Sequence, residues 1–313
     1  MQDFVVLIMD TGKTVIHMAF YILLPIMVVM MALMRFLERN HVLYYTARFL
    51  SPLLFWFGLP GIGAFAMLQI SLISFAAPLS TLAMVDQDKV IENKRIAATL
   101  AMVFTMSQAN SIFPLLVVGL NLWVTLATSI GGGLLAAAAT YYFFTRGEPH
   151  KKQDKLSSEK PFQEGERPGN MQALLKGGQE GVEMSLRSIP MWMLAMLVVN
   201  LLKMLKVVDF LEKLLNPLFQ YFGLPGVVIL PLLTKFFAGG TAMMVVTMEL
   251  VEKGAMSALH LNRIAGFMIH PFDIVGLAFY ATAGKRVAQA VRPAVKGALV
   301  GILARGVVHF LIF

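Results

Sequence analysis

Long apolar segments run through most of this 313-residue sequence and restrict the structures that it can form. Hydrophobic residues make up 58% of the chain and charged residues only 14%, against about 25% charged residues in a typical soluble domain. A helix that crosses the bilayer core needs roughly 20 apolar residues. Apolar segments lie at 15–34, 59–85, 96–118, 120–144, 188–202, 227–248, 264–283 and 294–313, with amphipathic stretches at 42–57 and 207–222. The sequence therefore predicts an all-α integral membrane protein.

Two stretches of the sequence repeat one pattern of proline and glycine. SPLLFWFGLPG occupies 51–61, and NPLFQYFGLPG occupies 216–226, which is 165 residues later. Two further pairs share this spacing, Pro25 with Pro190 and Gly12 with Gly177. Because chance rarely places several such anchors at one spacing, the chain is predicted to be duplicated. The predicted parts are a first membrane repeat at 1–145, a polar linker at 146–170 and a second membrane repeat at 171–313.

Further along the sequence the match continues at a slightly shifted spacing. FAAPLSTLAMV (75–85) resembles FAGGTAMMVVT (237–247), and Arg95-Ile96-Ala97 resembles Arg263-Ile264-Ala265. These pairs lie 162 and 168 residues apart. Matching by residue type therefore predicts that the alignment of the two copies drifts, which means that the spacing between matched residues departs from 165 after the first fifty residues.

Two interrupted apolar segments, 59–85 and 227–248, decide the predicted topology. Pro78 interrupts the first segment, and Gly239-Gly240 interrupts the second. If both segments are re-entrant hairpins, each repeat crosses the membrane three times and the second repeat enters from the opposite face. If both segments span the membrane, each repeat crosses four times and the repeats are parallel.

The positions of lysine and arginine favour the hairpin alternative. With hairpins and the N-terminus outside, one face collects 18 of the 26 basic residues, including those of the linker, as expected of a cytoplasmic face. In the parallel alternative, the basic clusters at 35–48 and 89–95 lie on opposite faces. We therefore predict two inverted-topology repeats, each with three transmembrane helices, an amphipathic helix and a re-entrant helical hairpin. The expected location is a bacterial inner membrane, with both termini outside the cytoplasm.

Several kinds of site are excluded or disfavoured by composition. The chain has no cysteine, so it can form no disulfide, thiolate metal site or cysteine nucleophile. Its net charge of +8 fits a basic cytoplasmic face, and no basic surface with interleaved aromatic residues indicates nucleic-acid binding. We predict no catalytic residues, no metal site and no cofactor.

The order of these features resembles the Gate, or nucleoside-recognition, family of membrane domains. An apolar helix with a mid-span proline is followed by GLPG, by a hairpin with a small-residue break and by a helix interrupted by polar residues. The small-residue breaks are Ala76-Ala77-Pro78-Leu79-Ser80-Thr81 and Ala238-Gly239-Gly240-Thr241. Related domains occur in concentrative nucleoside transporters, in the pore region of a ferrous-iron transporter and in bacterial spore-maturation membrane proteins. The resemblance implies two Gate-like repeats and a nucleoside-like or other polar solute.

The hairpin breaks are the first candidate site. Unwound backbone exposes polar groups that hydrocarbon cannot satisfy, and transporters with inverted repeats bind their substrates at such breaks near the midplane. The candidate residues are Pro78, Ser80 and Thr81 in the first hairpin and Gly239, Gly240 and Thr241 in the second. The alternative interpretation is that these small residues only allow close helix packing.

A second candidate site follows each hairpin, where polar residues interrupt an apolar span. MSQANSIFP (106–114) contributes Ser107, Gln108, Asn110 and Ser111, and MIHPFDIVG (268–276) contributes His270, Pro271 and Asp273. Aligning Met106 with Met268 matches Gln108 to His270 and Ser111 to Asp273. The prolines predict that both helices are discontinuous.

Three charged residues, Lys235, Asp273 and Arg305, lie within apolar segments of the second half. Ionisable groups inside a membrane are costly, and most are functional or paired. One interpretation is a buried Lys235–Asp273 ion pair that fixes the second hairpin, with Arg305 capping a carbonyl. The other is a substrate or proton-coupling site in which Asp273 and His270 titrate and a cation binds an anionic solute.

These features favour a transporter that moves a small polar or anionic solute, or an ion, by alternating access. Its partners are then the lipid bilayer and the solute, with Na⁺ or H⁺ as candidate coupling ions and a homo-oligomer or membrane-protein partner left open. The alternative is an accessory or scaffold subunit that does not itself transport, and a channel is a further alternative. An enzyme using His270 and Asp273 is the weakest interpretation, because no nucleophile, metal triad or phosphate loop accompanies them.

Overall fold

The computed structural model describes residues 2–146 and 169–313, and the regular structure in these two ranges is entirely helical. The helices are α1 (Gln2–His17), α2 (Leu24–Arg39), α3 (Val42–Phe55), α4 (Gly63–Leu68), α5 (Pro78–Gln87), α6 (Asn93–Thr105), α7 (Ala109–Leu116), α8 (Leu122–Ala139), α9 (Asn170–Met204), α10 (Val207–Tyr221), α11 (Ile229–Glu252), α12 (Ala258–Met268), α13 (Ile274–Ala281) and α14 (Lys285–Ile312). Short π-helical turns continue α1, α4 and α8 at Met18–Leu23, Gln69–Ile73 and Thr140–Phe144, and a 3-10 turn, Gly226–Val228, precedes α11. The predicted all-α class is confirmed. Nearly all of the predicted linker, 146–170, lies outside the described residues.

Four helical stretches in the described ranges are long and apolar enough to cross a membrane. They are Val5–Arg39, Asn93–Leu116, Leu122–Phe144 and Lys285–Ile312. A fifth forms if Lys213–Tyr221 and Gly226–Phe236, which meet at 106°, belong to one span. These stretches coincide with predicted apolar segments, while the total of six crossings and two hairpins stays a prediction.

The opening helices of the two halves pack against each other in opposite directions. Gly181 of α9 lies against α2, where a Cβ on this glycine would be 2.7 Å from the carbonyl oxygen of Met27. Later in α9, the amide of Asn200 donates to Thr11 Oγ1 in α1 over 2.8 Å. The earlier residue of α9, Gly181, thus contacts the later residue Met27, and the later residue Asn200 contacts the earlier residue Thr11. Helix α9 is therefore antiparallel to α1 and α2. Copies of inverted topology require this direction, whereas the division at 1–145 and 171–313 stays a prediction.

Helices α8 and α14 also cross closely and in opposite directions. A Cβ on Gly132 would lie 3.0 Å from the carbonyl oxygen of Gly301, and one on Gly297 would lie 2.7 Å from the carbonyl oxygen of Ala136. Small residues four apart allow two backbones to approach in this way in membrane helices. The crossing holds α14 beside α6, whose residues after Asn93 are all buried. The side chains of α14 therefore reach the interior of the molecule.

The two GLPG turns have the same local structure. Gly58 and Gly223 follow α3 and α10 with φ of 79° and 62°. An arginine donates to a carbonyl of each turn over 3.2 Å, Arg95 to Leu59 and Arg263 to Gly223. The match of Arg95 with Arg263 in the sequence therefore corresponds to a shared contact, in which an arginine satisfies the carbonyls left free where the amphipathic helix ends.

The backbone breaks keep a single spacing through both halves. Ser74 ends the first arm of the first interrupted segment in an extended conformation (φ −169°, ψ 169°). It lies 165 residues before Gly239, the break within α11 (φ 83°, ψ 175°). The N-cap residues of α7 and α13, Gln108 and Asp273, are also 165 residues apart. The spacing of 162 residues predicted from FAAPLSTLAMV and FAGGTAMMVVT is therefore not that of the backbone breaks, because matching small residues by type does not locate a break. The arginine pair, 168 residues apart, does share a contact.

This constant spacing changes which residues correspond. The counterpart of Asp273 is Gln108 rather than Ser111, and the counterpart of His270 is Thr105 rather than Gln108. Lys235, in the first arm of α11, corresponds to Ile70. The charged residues of the second half thus replace neutral residues at equivalent positions of the backbone.

Candidate functional site

The first break exposes the backbone of Phe75, which side chains from two other segments satisfy. Its N–H donates to Oδ1 of Asn110 in α7 over 3.1 Å. Its carbonyl oxygen accepts from the hydroxyl of Tyr280 in α13. Because buried peptide groups need partners where water is excluded, these two contacts explain how the chain can unwind here. They also join the first break to a broken helix of each half.

Asn110 connects the first break to the second. While its Oδ1 accepts from Phe75, its Nδ2 lies 3.5 Å from Oγ1 of Thr241. Thr241 follows directly on Gly239 and Gly240, at the start of the second arm of α11. Two predicted site residues, Asn110 and Thr241, are therefore brought together at a junction of the two interrupted segments.

Gln108 and Gly240 meet at the same junction. The side-chain amide of Gln108 occupies the space in which a Cβ of Gly240 would lie, and it donates to Oγ of Ser111 over 2.8 Å. Gly240 thus allows close packing, as the alternative interpretation of the small residues predicted. Gly239 has a different role, because its φ of 83° is one that residues with a Cβ rarely adopt.

Lys235 and Asp273 form a buried ion pair, as one interpretation of the sequence predicted. Their side chains are 0% and 3% exposed. The second carboxylate oxygen of Asp273 accepts from the N–H of Gly276 over 2.7 Å and so caps the N-terminus of α13. The carboxylate is therefore balanced by an ammonium group and by the positive end of a helix, and the pair fixes α11 to α13.

Arg305 caps carbonyl groups, as predicted, but it does so at two helix ends at once. Its guanidinium donates to the carbonyl oxygen of Thr105 at the end of α6 and, over 3.1 Å, to that of Ile269 at the end of α12. It also donates to the hydroxyl of Ser107. The C-terminal ends of α6 and α12 thus meet at one side chain of α14. Their partial negative charges stabilise its positive charge.

Three predicted site residues form hydrogen bonds only within their own interrupted segment or turn. Ser80 is exposed and donates to the carbonyl oxygen of Ala77 over 3.1 Å. Buried Thr81 donates to Oε1 of Gln69 over 2.7 Å. His270 pairs with the backbone of its own turn, with Nε2 2.8 Å from the carbonyl oxygen of Phe267 and Nδ1 accepting from Phe272. A function of these side chains in binding stays a prediction.

Gln69 and Tyr280 were missed by the sequence analysis. Gln69 was detectable as a polar residue within the apolar segment 59–85, and it holds the two arms of the first hairpin together through Thr81. Tyr280 gave no comparable signal, because an aromatic residue in an apolar span usually packs in the core. Its hydroxyl is what links α13 to the first break. Across the described ranges, no group of three or more His, Asp or Glu side chains could hold a metal ion.

The fold of the chain resembles that of a solved transporter, CNTnw, a concentrative nucleoside transporter. A doubly substituted variant of CNTnw in an outward-facing state gives a TM-score of 0.70 at 14% sequence identity, over 92% of this chain and 75% of that one. The inward-facing, substrate-bound state gives 0.65 at 14% identity over 92% and 74%, and an intermediate state of a singly substituted variant gives 0.69 at 14% identity over 92% and 75%. No family model and no curated protein sequence matches the chain. The chain thus has a multi-pass, all-helical membrane fold that is also found in a transporter.

Proposed function

We propose that this chain is a membrane transporter that moves a small polar or anionic solute, or an ion, by alternating access at the junction of its two interrupted segments. The observation that carries the proposal is the position of Asn110. Its side chain contacts the unwound backbone at Phe75 and the hydroxyl of Thr241 beside the second break. A single amide thus joins the two hairpin breaks at which substrates bind in transporters with inverted repeats.

The contacts at this junction are suited to exchange with a solute. A separation of 3.5 Å between Asn110 and Thr241 is at the long end for a hydrogen bond. An amide side chain both donates and accepts, so a polar solute that offers both kinds of group can replace such a contact at little cost. Gln108 supplies a second amide nearby, against Gly240.

The likeness to CNTnw supports the alternating-access part of the proposal. CNTnw has been solved in outward-facing, inward-facing and intermediate states, so the shared fold is compatible with such a cycle. A nucleoside-like solute is the first candidate, on the basis of the Gate-like features and of the neighbour's name. The pairing of Lys235 with Asp273 leaves no free buried charge in that pair to select for ions.

The transport proposal is tested with the purified chain in liposomes. We expect uptake of at least one member of a panel of nucleosides, organic anions and metal ions. Asn110→Leu should lower that uptake at least about tenfold, the loss that corresponds to roughly 1.4 kcal/mol of binding. Asn40→Leu is a matched control, because Asn40 is exposed and bonds only within its own turn.

Two results would count against transport by this chain alone. Uptake that is equal in Asn110→Leu and the wild type would remove the junction from the pathway. No uptake of any solute, together with a membrane protein that copurifies and restores activity, would favour the accessory-subunit alternative.

The proposal includes an inverted topology in a bacterial inner membrane, with both termini outside the cytoplasm and residues 146–170 inside. The absence of cysteine makes this simple to test. A single cysteine introduced by Lys155→Cys should react with an impermeant thiol reagent only after the cells are opened. Labelling of intact spheroplasts at this position would contradict the proposed orientation.

A further inference from the structure

Arg305 occupies an oxygen-lined space between two broken helices. The last carbonyl groups of a helix have no partner within that helix, and they carry its partial negative charge. Here the carbonyl oxygens of Thr105 and Ile269, at the ends of α6 and α12, both accept from the guanidinium of Arg305. The hydroxyl of Ser107 is a third oxygen bound by the same group.

Oxygens of this kind are ligands for small metal cations. Unwound carbonyls and half-helix C-termini coordinate Na⁺ in transporters with broken helices. Carboxylates do so as well, but both oxygens of Asp273 are engaged, one by Lys235 and one by the N–H of Gly276. Four oxygens at the two broken helices, those of Thr105, Ile269, Ser107 and one of Asp273, are therefore bound by positive side chains of the protein itself.

We propose that Arg305 is a built-in substitute for a bound metal cation, and that the fold and its transport cycle therefore do not depend on Na⁺. The inference deepens the proposed function, on which it rests for the transport cycle but not for the fold. Of the two coupling ions that the sequence left open, it excludes Na⁺ and retains H⁺.

The chemistry of arginine suits this role. A guanidinium is planar and presents donors in several fixed directions, whereas an ammonium is a compact point charge. Arg305 can thus bind oxygens at the end of α6, at the end of α12 and, through Ser107, in the turn after α6 simultaneously. It is 1% exposed, and no carboxylate of the described residues is paired with it. Its charge is therefore balanced by the two helix ends, as that of a bound metal cation would be.

The first arm of the test uses the wild-type protein in detergent and measures its thermal unfolding in NaCl, KCl and choline chloride at equal ionic strength. We expect the same unfolding temperature in all three salts, because Arg305 already binds the oxygens between the two broken helices. A rise in unfolding temperature that is specific to Na⁺ and saturates with its concentration would overturn the inference. This arm does not depend on knowing the solute.

The second arm removes the guanidinium with Arg305→Ala. Leaving buried carbonyls without their cation should lower the unfolding temperature by about 10 °C. Millimolar guanidinium chloride should restore part of that loss, while the same concentration of choline chloride should not. Arg263→Ala is the control, because Arg263 also donates to backbone carbonyls, of Gly223 and Phe313, but is partly exposed. Its loss should be smaller, with no recovery in guanidinium.

If Arg305→Ala does not yield folded protein, Arg305→Lys replaces it, and an unfolding temperature close to that of the wild type would contradict the need for a planar cation. Stability of Arg305→Ala equal to the wild type would overturn the inference outright. Once a solute is known, uptake should be equal in Na⁺ and choline. Uptake that stops in choline would refute the inference and leave the proposed transport function intact, whereas absence of any uptake would count against the proposed function alone.

Discussion

The interrupted segments of the two halves have equivalent backbone breaks but different chemistry around them. In the first half, the backbone next to the break at Ser74 bonds to two neutral side chains, Asn110 and Tyr280, and the position equivalent to Lys235 is Ile70. In the second half, the break at Gly239 lies in α11, which Lys235 joins to Asp273. The spacing of 165 residues is the same for the breaks and for the N-cap residues of α7 and α13. The two halves thus share the backbone geometry of their breaks, while the ion pair beside the break belongs to the second half alone.

Arg305 extends this asymmetry to both halves. Its counterpart at the same spacing is Thr140, which donates to a carbonyl of its own helix over 2.8 Å. Arg305 instead binds the end of α6 from the first half and the end of α12 from the second. A side chain of the second copy thus completes a broken helix of the first. Neither half has all of its buried polar groups satisfied without the other.

The largest expected effect on the difference between the halves comes from removing one member of the ion pair. Lys235→Ala or Asp273→Asn should each lower the free energy of unfolding by about 3–5 kcal/mol, because a buried charge loses its partner. Thermal unfolding in detergent measures the loss, and uptake should fall with it. The double variant Lys235→Met/Asp273→Asn should lose less than either single variant, since it leaves no unpaired charge and keeps the cap of α13.

The exposed pair of Lys13 and Asp10 is the control for the ion pair, and Asp10→Asn should change stability only slightly. If the double variant is no more stable than the single ones, charge pairing does not explain the difference between the halves. Normal uptake in both single variants would remove Lys235 and Asp273 from the transport mechanism.

A smaller effect is expected where the second break packs against Gln108. Gly240→Ala should lower the free energy of unfolding by about 1–3 kcal/mol, because the new methyl group collides with the Gln108 amide. Thermal unfolding measures the change, and adding Gln108→Ala should recover most of it. Gly131→Ala is the control, since a Cβ on Gly131 meets no atom within 4 Å. Equal stability of Gly240→Ala and Gly131→Ala would contradict the close contact.

The free energy of unfolding should fall less when the first break loses its hydrogen bond to Tyr280 of the second half. Tyr280→Phe removes the hydroxyl that satisfies the carbonyl of Phe75, and we expect a loss of about 1 kcal/mol. Tyr142→Phe is the control, because the hydroxyl of Tyr142 also donates to a carbonyl, that of Trp56, but at the exposed surface. Chemical denaturation compares the two variants, and a loss in Tyr280→Phe no greater than in Tyr142→Phe would argue against this link between the halves.

The smallest effect is expected at Ser80. This residue is exposed and bonds only to Ala77, so Ser80→Ala should stay within about 0.5 kcal/mol of the wild type. Uptake at several solute concentrations checks whether the hydroxyl has a further role. An increase in the apparent KM without a change in stability would restore Ser80 to the binding site that the sequence predicted.

Local patterns predicted the broken segments and the buried charges well. Pro78 and the Gly239-Gly240 pair marked the interrupted segments. The charges of Lys235 and Asp273 in apolar sequence left two interpretations open, and the structure contains the ion pair of the first. The partner of Asn110 was not predictable, because Thr241 lies 131 residues away and no pattern in either segment refers to the other. Tyr280 was missed for the same reason.

The alignment between the halves also depended on the structure. Residue types matched Ser111 with Asp273, whereas the helix starts match Gln108 with Asp273. Small and apolar residues recur so often in membrane helices that they locate a correspondence only to within a turn. The backbone break is a sharper marker, but it is visible only in three dimensions.

The sequence by itself determined that the chain is helical, lies in a membrane, repeats its GLPG turn and breaks two of its apolar segments. It could do so because hydrocarbon demands internally bonded helices, and proline and glycine interrupt them locally. Only the tertiary structure decided that the ends of α6 and α12 meet at Arg305 and that Asn110 lies between the two breaks. The first of these depends on the close antiparallel crossing of α8 and α14 at Gly132 and Gly301, and the second joins residues 131 positions apart in the chain.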